Sequence, residues 1–208
     1  MRQALVAAAR RLDRLGFMPG KSGNLSARTA AGFVITPAAL PYAELAEEDL
    51  VECDAEGLPL QGHRRPSSEW RLHAATYAAR AEAQAIVHSH SPRATALSCA
   101  RRGLPAFHYM LALAGGADIR CAGYATFGTQ ALAEAAVLAL EGRRACLLAN
   151  HGVLAFGATL AAAEALAREV ENLAAQYLAL LAARLEPVLL TSEEMAAVQT
   201  QFADYGRL

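Results

Sequence analysis

The sequence predicts a layered α/β or α+β domain, on three observations. Short apolar runs bounded by turn residues recur at Phe33–Thr36, Leu50–Asp54, Ala85–Val87 and Ala145–Leu148, as buried strands require. Longer stretches with apolar residues three and four apart lie between them, and such alternation packs helices on a sheet. The chain has 208 residues, 54% hydrophobic and only 6% aromatic, enough to fill one Ala/Leu/Val core. No linker, repeat or low-complexity stretch divides it, so residues 1–208 are expected to form a single domain.

Taken in order, Leu5, Ala8, Ala9, Leu12 and Leu15 line one side of a first helix that stops at Gly16. Met18–Gly23 is a loop entering a short strand at Asn24-Leu25-Ser26. A turn at Ala31-Gly32 precedes the strand at 33–36, and Glu56-Gly57 ends the strand at 50–54. Pro66-Ser67-Ser68-Glu69 has the form of a helix start, a serine cap with an acid in the first turn, and that helix runs to about Arg80. Further helices are expected after Pro92, over 128–141, from Ala158 to Arg184 and after Thr191-Ser192. The strand at 145–148 runs into Asn150-His151-Gly152.

Composition excludes several classes of function. With 19 basic and 20 acidic residues the net charge is −1, which gives no field for nucleic acid or a membrane surface. No run of 18 apolar residues spans a bilayer, and Met1-Arg2-Gln3-Ala4 begins a helix pattern, not a signal peptide. Cys53, Cys99, Cys121 and Cys146 lack CxxC spacing and read as small hydrophobes in a reducing, cytoplasmic compartment.

The chemistry centres on His88-Ser89-His90. Residues two apart on a strand share a face, so both imidazoles point one way, roughly 7 Å apart along the backbone. Glu69 and His151 are ligand types that a strand-and-helix protein could bring to the same place. Three His and a carboxylate form a Zn²⁺-type donor set without thiolate. His73, four residues after Glu69 on the same helix face, is a rival ligand, a supporting partner or a packed core residue. Gly20-Lys21-Ser22-Gly23-Asn24 and the Ser67-Ser68 helix start each offer backbone N–H groups to an anion, and Lys21 adds charge. Neither has the P-loop pattern, so a nucleotide site is not implied.

These segments together resemble the sugar-phosphate aldolases of the class II aldolase/adducin family, over nearly the whole chain. The matching stretches are Ser22–Ser26, Ile35-Thr36-Pro37, Pro66–Arg71, Val87–His90, Pro105–Met110, Gly115-Gly116, Tyr124–Thr129, Asn150-His151-Gly152 and Phe202–Gly206. The resemblance implies a three-layer α/β/α domain around a largely antiparallel sheet, in a homotetramer with active sites at subunit interfaces. It implies one zinc per chain on His88, His90 and His151, with Glu69 as the fourth ligand and the proton-transfer base. Gly23, Asn24, Ser67 and Ser68 would hold the substrate phosphate and Phe127 would line the aldehyde pocket. Tyr109, from a neighbouring subunit, would protonate the aldehyde oxygen, and Tyr205 would close over the site.

The implied reaction is cleavage of a short ketose-1-phosphate, of the fuculose-1-phosphate type, to dihydroxyacetone phosphate and a small aldehyde. Glu69 stands where ribulose-phosphate 4-epimerases carry Asp. The alternatives are a methylthioribulose-phosphate dehydratase or related lyase of the same fold, and a non-catalytic adducin-like interaction domain. One departure concerns phosphate. After Thr36-Pro37 the aldolases usually carry a hydroxyl residue and a glycine, whereas Ala38-Ala39 stand here, and Lys21 replaces a neutral residue. Either Lys21 takes over the lost contact by charge, or the enzyme uses a different donor, even an unphosphorylated one.

Overall fold

Alternating side-chain burial on the central strands sorts the chain into layers. On β5 (Ala85–Ser89), Ala85 and Val87 join one apolar cluster while Ile86 joins the other, as a period of two dictates. In the computed structural model, which describes residues 1–205 and all their side chains except those of 61, 204 and 205, eight strands form one sheet. The others are β1 (Asn24–Arg28), β2 (Gly32–Ile35), β3 (Val51–Asp54), β4 (Pro59–Gln61), β6 (Cys121–Ala122), β7 (Ala145–Leu148) and β8 (Gly152–Gly157). Their order is β4-β3-β2-β1-β5-β8-β7-β6. Every pairing is antiparallel except β6 with β7.

Helices cover both faces, as the expected α/β/α layering requires. On one face α1 (Arg2–Arg14), α3 (Pro92–Cys99) and α5 (Leu160–Ala182) bury Leu5, Leu12, Leu97, Leu166, Val170 and Leu173 against Leu25, Val87 and Val153. Spacings of three and four place these residues on single helix stripes. On the other face α2 (Trp70–Ala79) and α4 (Gln130–Ala139) pack Leu72, Tyr77, Leu132 and Ala136 on Phe33, Ile86, Leu154 and Phe156. Each large side chain so buried contributes about 1.5–3 kcal/mol. The last helix, α6, spans Ser192–Tyr205.

Three details differ from the sequence reading. β8 is a full strand where only a turn and a following helix were expected; its six residues are all buried, so no polar alternation announces it. β4 and β6 are too short to carry a periodic signal. Helix α2 begins at Trp70, and Glu69 is its N-cap residue instead of lying inside the first turn. The cause is tertiary. Pro66 bridges Pro37, and Ser67 N–H donates to the Thr36 carbonyl at 3.1 Å, holding this segment extended beside β2. Cys99 is exposed, whereas Cys53 and Cys146 are buried as expected; all four are free.

Candidate metal centre and substrate cleft

His88 and His90 leave the end of β5 toward the α2 face, as their spacing predicts. His88 is fully buried and lies 2.9 Å from the Val153 carbonyl through Nδ1. That carbonyl can only accept, so Nδ1 carries a proton and Nε2 is the nitrogen left to face a metal. His90 Nε2 lies 3.2 Å from His88 Nε2. His151 arrives on the turn between β7 and β8, where Asn150 adopts φ 55°, a left-handed conformation that asparagine tolerates. Asn150 is held there by Arg101 Nε, which donates to its Oδ1 at 3.0 Å.

Gly152 explains the last residue of that motif. A Cβ here would lie 2.5 Å from the Ser89 carbonyl oxygen and 3.0 Å from His90 Cδ2, so only glycine lets β8 approach β5. Gly152→Ala is expected to push this turn outward, cost about 1–3 kcal/mol of stability and weaken metal binding by ~10–100-fold. Thermal melts and chelator competition check both effects; wild-type values in both would refute it.

Glu69 completes the cluster from the other side. Its Oε2 lies 2.9 Å from His88 Nε2 and accepts from Asn24 Nδ2 at 3.0 Å; Oε1 lies 3.2 Å from His151 Nε2. Oε1 is buried and has no well-formed hydrogen bond. One ligand atom from each of Glu69, His88, His90 and His151 lies within 4.8 Å of every other. The three rings meet edge to edge, with centroids 4.8 to 5.0 Å apart. Two ring nitrogens facing at 3.2 Å and an orphaned carboxylate oxygen are poor neighbours for one another, but together they make a converging N₃O donor set. The residues present fit a metal ion.

The electrostatics agree. Burial, then the charge at His88 and His151, pushes His90 down to about 3; burial and His88 push His151 down to about 4. Both are therefore neutral near pH 7, as ligation requires. Burial disfavours charge on Glu69 and His88, but their mutual attraction outweighs it. The Glu69 carboxyl is held well below the usual carboxylate range and the His88 imidazole is raised.

Above the cluster opens a cleft of about 400 Å³, with Glu69, His90 and His151 among its lining residues. Lys21, Gly23, Asn24, Ala38, Ala39, Ser67 and Ser68 lie along it, together with Tyr124 and Phe127. The Pro37–Pro66 bridge brings Ala38-Ala39 beside the Ser67-Ser68 segment. Ser67 Oγ accepts from Glu69 N–H at 3.3 Å and is a local brace instead of the helix cap. Asn24 is 2% exposed and spends both ends of its amide on Glu69 and His73. Ala39 stands at φ 59°, a conformation costing a non-glycine residue about 1–2 kcal/mol, which explains why glycine suits this position. His73, left open by the sequence, is fully buried with Nε2 2.5 Å from Asn24 Oδ1 and Nδ1 2.6 Å from Ser26 Oγ. Burial, then His88, lowers it to about 3.

Tyr109 is half exposed on the segment Tyr109–Ala114 and does not line the cleft; its ring stacks on His108 at 4.9 Å and Phe202 at 6.2 Å. The Tyr205 side chain lies outside the described residues. Tyr124, 59% exposed at the rim, was not singled out from the sequence, although it opens the Tyr124–Thr129 stretch.

The profile of the Class II Aldolase and Adducin N-terminal domain matches residues 3–178. The chain belongs to this family. It is 50% identical over 206 residues to a 5-methylthioribulose-1-phosphate/5-deoxyribulose-1-phosphate aldolase of Rhodospirillum rubrum, covering 99% of this chain and 92% of that protein. It is 46% identical to an L-fuculose phosphate aldolase of Escherichia coli K12, over 94% of this chain and 90% of that one. A solved L-fuculose 1-phosphate aldolase superposes with TM-score 0.93 and 42% identity, covering 97% of this chain and 95% of the other. These relatives are aldolases, and aldolases are lyases. Class II aldolases depend on a metal, and the Glu69, His88, His90 and His151 cluster is where this member can hold one. Among the described residues no helix is long and apolar enough to cross a membrane.

Proposed function

We propose that this chain is a zinc-dependent, cytoplasmic aldolase that reversibly cleaves a short ketose-1-phosphate to dihydroxyacetone phosphate and a small aldehyde. The observation that carries the reading is the N₃O cluster lying in a cleft that also gathers Lys21, Ser67 and Ser68. In cleavage the C3–C4 bond breaks, its electron pair passes to C3 as an enediolate, and the C4 hydroxyl passes its proton to the group that returns it in the reverse direction, Tyr109 of a neighbouring subunit in this reading. His88, His90 and His151 would hold the zinc, which would supply Lewis-acid stabilisation of that developing charge. Glu69 is placed to deliver a proton to C3, or to remove it in the reverse direction, at Oε1. Ser67, Ser68, Gly23 and Lys21, which line the cleft, hold the phosphate in this reading, and Phe127 offers an apolar wall to the aldehyde end.

Aldolase names among the relatives support cleavage over dehydration, and the presence of all four ligands speaks against a purely structural domain. The 5-deoxy and 5-methylthio compounds in those names favour an apolar aldehyde end. Metal-quantified protein given fuculose-1-phosphate, 5-deoxyribulose-1-phosphate and 5-methylthioribulose-1-phosphate should release dihydroxyacetone phosphate from at least one of them. No release from any would overturn the assignment.

Lys21→Ala should raise KM for the phosphorylated ketose by ~10–100-fold with kcat nearly unchanged, the scale of a lost charge-assisted contact. Unchanged KM would remove Lys21 from phosphate binding. Equal use of dihydroxyacetone and its phosphate as donors would remove the phosphate site altogether.

The position of Tyr109 away from its own cleft supports a homotetramer in which it serves a neighbouring site. Mixing inactive Tyr109→Phe chains with inactive His90→Ala chains should then restore part of the activity. No recovery after verified subunit exchange would count against a shared site.

A further inference from the structure

Behind Glu69 runs a line of buried polar side chains that starts at Asn24 in the cleft wall and continues through His73, Ser26 and Tyr77, none of which lines the cleft. Asn24 Nδ2 donates to Glu69 Oε2 at 3.0 Å, and Asn24 Oδ1 faces His73 Nε2 at 2.5 Å. His73 Nδ1 faces Ser26 Oγ at 2.6 Å, and Ser26 Oγ faces Tyr77 Oη at 2.8 Å. All four supporting residues are buried. Arg28 closes the far end, its guanidinium 4.7 Å from the Tyr77 ring centre.

The direction of each bond follows from one fact: an ionised carboxylate only accepts. Asn24 must therefore present its NH₂ to Glu69 and its carbonyl oxygen to His73. That oxygen only accepts, so His73 carries its proton on Nε2. A buried neutral imidazole has one proton, so Nδ1 accepts and the Ser26 hydroxyl must donate to it. Ser26 Oγ is then left to accept from the Tyr77 hydroxyl. Four donors in series point the same way, toward Oε2, and each polarises the next.

We propose that His73 is a positioning residue for Glu69: acting through Asn24, it pins the Oε2 edge of the carboxylate and leaves Oε1 as the atom that exchanges the proton. Ser26 and Tyr77 lock the His73 tautomer behind it. Without the His73 N–H, the Asn24 amide loses the partner that fixes its orientation and is free to turn its oxygen toward Glu69, where it repels the carboxylate.

The inference rests on Glu69 being the proton-transfer group, so the test has arms with and without turnover. Long-range ¹H–¹⁵N spectra of the unmodified, metal-loaded protein should show His73, assigned through contacts to Ser26 and Tyr77, as the neutral Nε2–H tautomer. An Nδ1–H tautomer overturns the proposal whether or not the chain is an aldolase. His73→Leu should lower kcat by about 10–100-fold, with KM changed less than about threefold and stoichiometric metal still bound at saturation. His73→Gln, whose amide N–H can reach Asn24 Oδ1, should recover most of that loss. Equal losses in the two variants, or a loss confined to KM, would overturn it. Should the unmodified chain cleave no ketose phosphate, the proposed function fails, and the tautomer together with a ~10-fold weaker metal affinity in His73→Leu decides the positioning role. Unchanged affinity in that case overturns it.

Discussion

His90→Ala abolishes cleavage while leaving the fold intact: this is the largest effect expected of any single substitution. His90 is the ligand to choose because it lies at the cleft wall, whereas His88 is fully buried and its removal would also leave a cavity. Loss of a direct ligand should weaken metal binding beyond the ~10–100-fold that changes behind a ligand cost, and turnover should fall to background. Chelator should do the same to the unmodified protein, reversed by adding zinc. A proton on the raised His88 imidazole competes with the metal, so affinity should fall as pH drops and binding should release protons to the buffer. Metal content, circular dichroism and calorimetry in two buffers check these points. Full activity in a protein stripped of metal would end the metal-dependent reading.

Glu69→Gln ranks second. Glutamine has nearly the same shape and can still accept from Asn24 Nδ2 through its carbonyl oxygen, but it cannot take a proton near neutral pH. Turnover should fall by ~10²–10⁴, the usual worth of a positioned general base, with metal retained at lower affinity. Exchange of the carbon-bound hydrogen of dihydroxyacetone phosphate with solvent deuterium should fall in parallel. Unaltered exchange would place the base elsewhere.

Much of the site was legible because it follows from periodicity and chemical type. His88 and His90 share a face through strand geometry alone, and Asn150-His151-Gly152 is a tight turn carrying a ligand. Glu69 and His151 could be nominated by type, but His151 reaches the histidine pair only through β5 pairing with β8, and β8 itself left no local signal. The start of α2 was misplaced by the Pro37–Pro66 bridge, a contact between segments far apart in sequence. The role of His73 was underdetermined for the same reason. Its partners Asn24 and Ser26 lie on strand β1, far away in sequence, and the pairing of β1 with β5 brings that strand beneath Glu69. Spacing within a helix could not choose among ligand, support and core.

The cleft divides sharply between what is fixed and what is loose. His88 and Glu69 are at most 6% exposed and sit on paired strands or helix ends, whereas Tyr124 and Phe127 at the rim are 59% and 64% exposed on a connecting loop. In the proposed function, reaction and selectivity therefore sit on separately variable parts. A library confined to Tyr124–Phe127 should sample new acceptors at little cost in folding, provided Gly128 is kept, because a Cβ there would lie 2.9 Å from the Ser68 carbonyl oxygen beside Glu69. Relatives with different named ketose phosphates and a shared scaffold are what such modular evolvability produces.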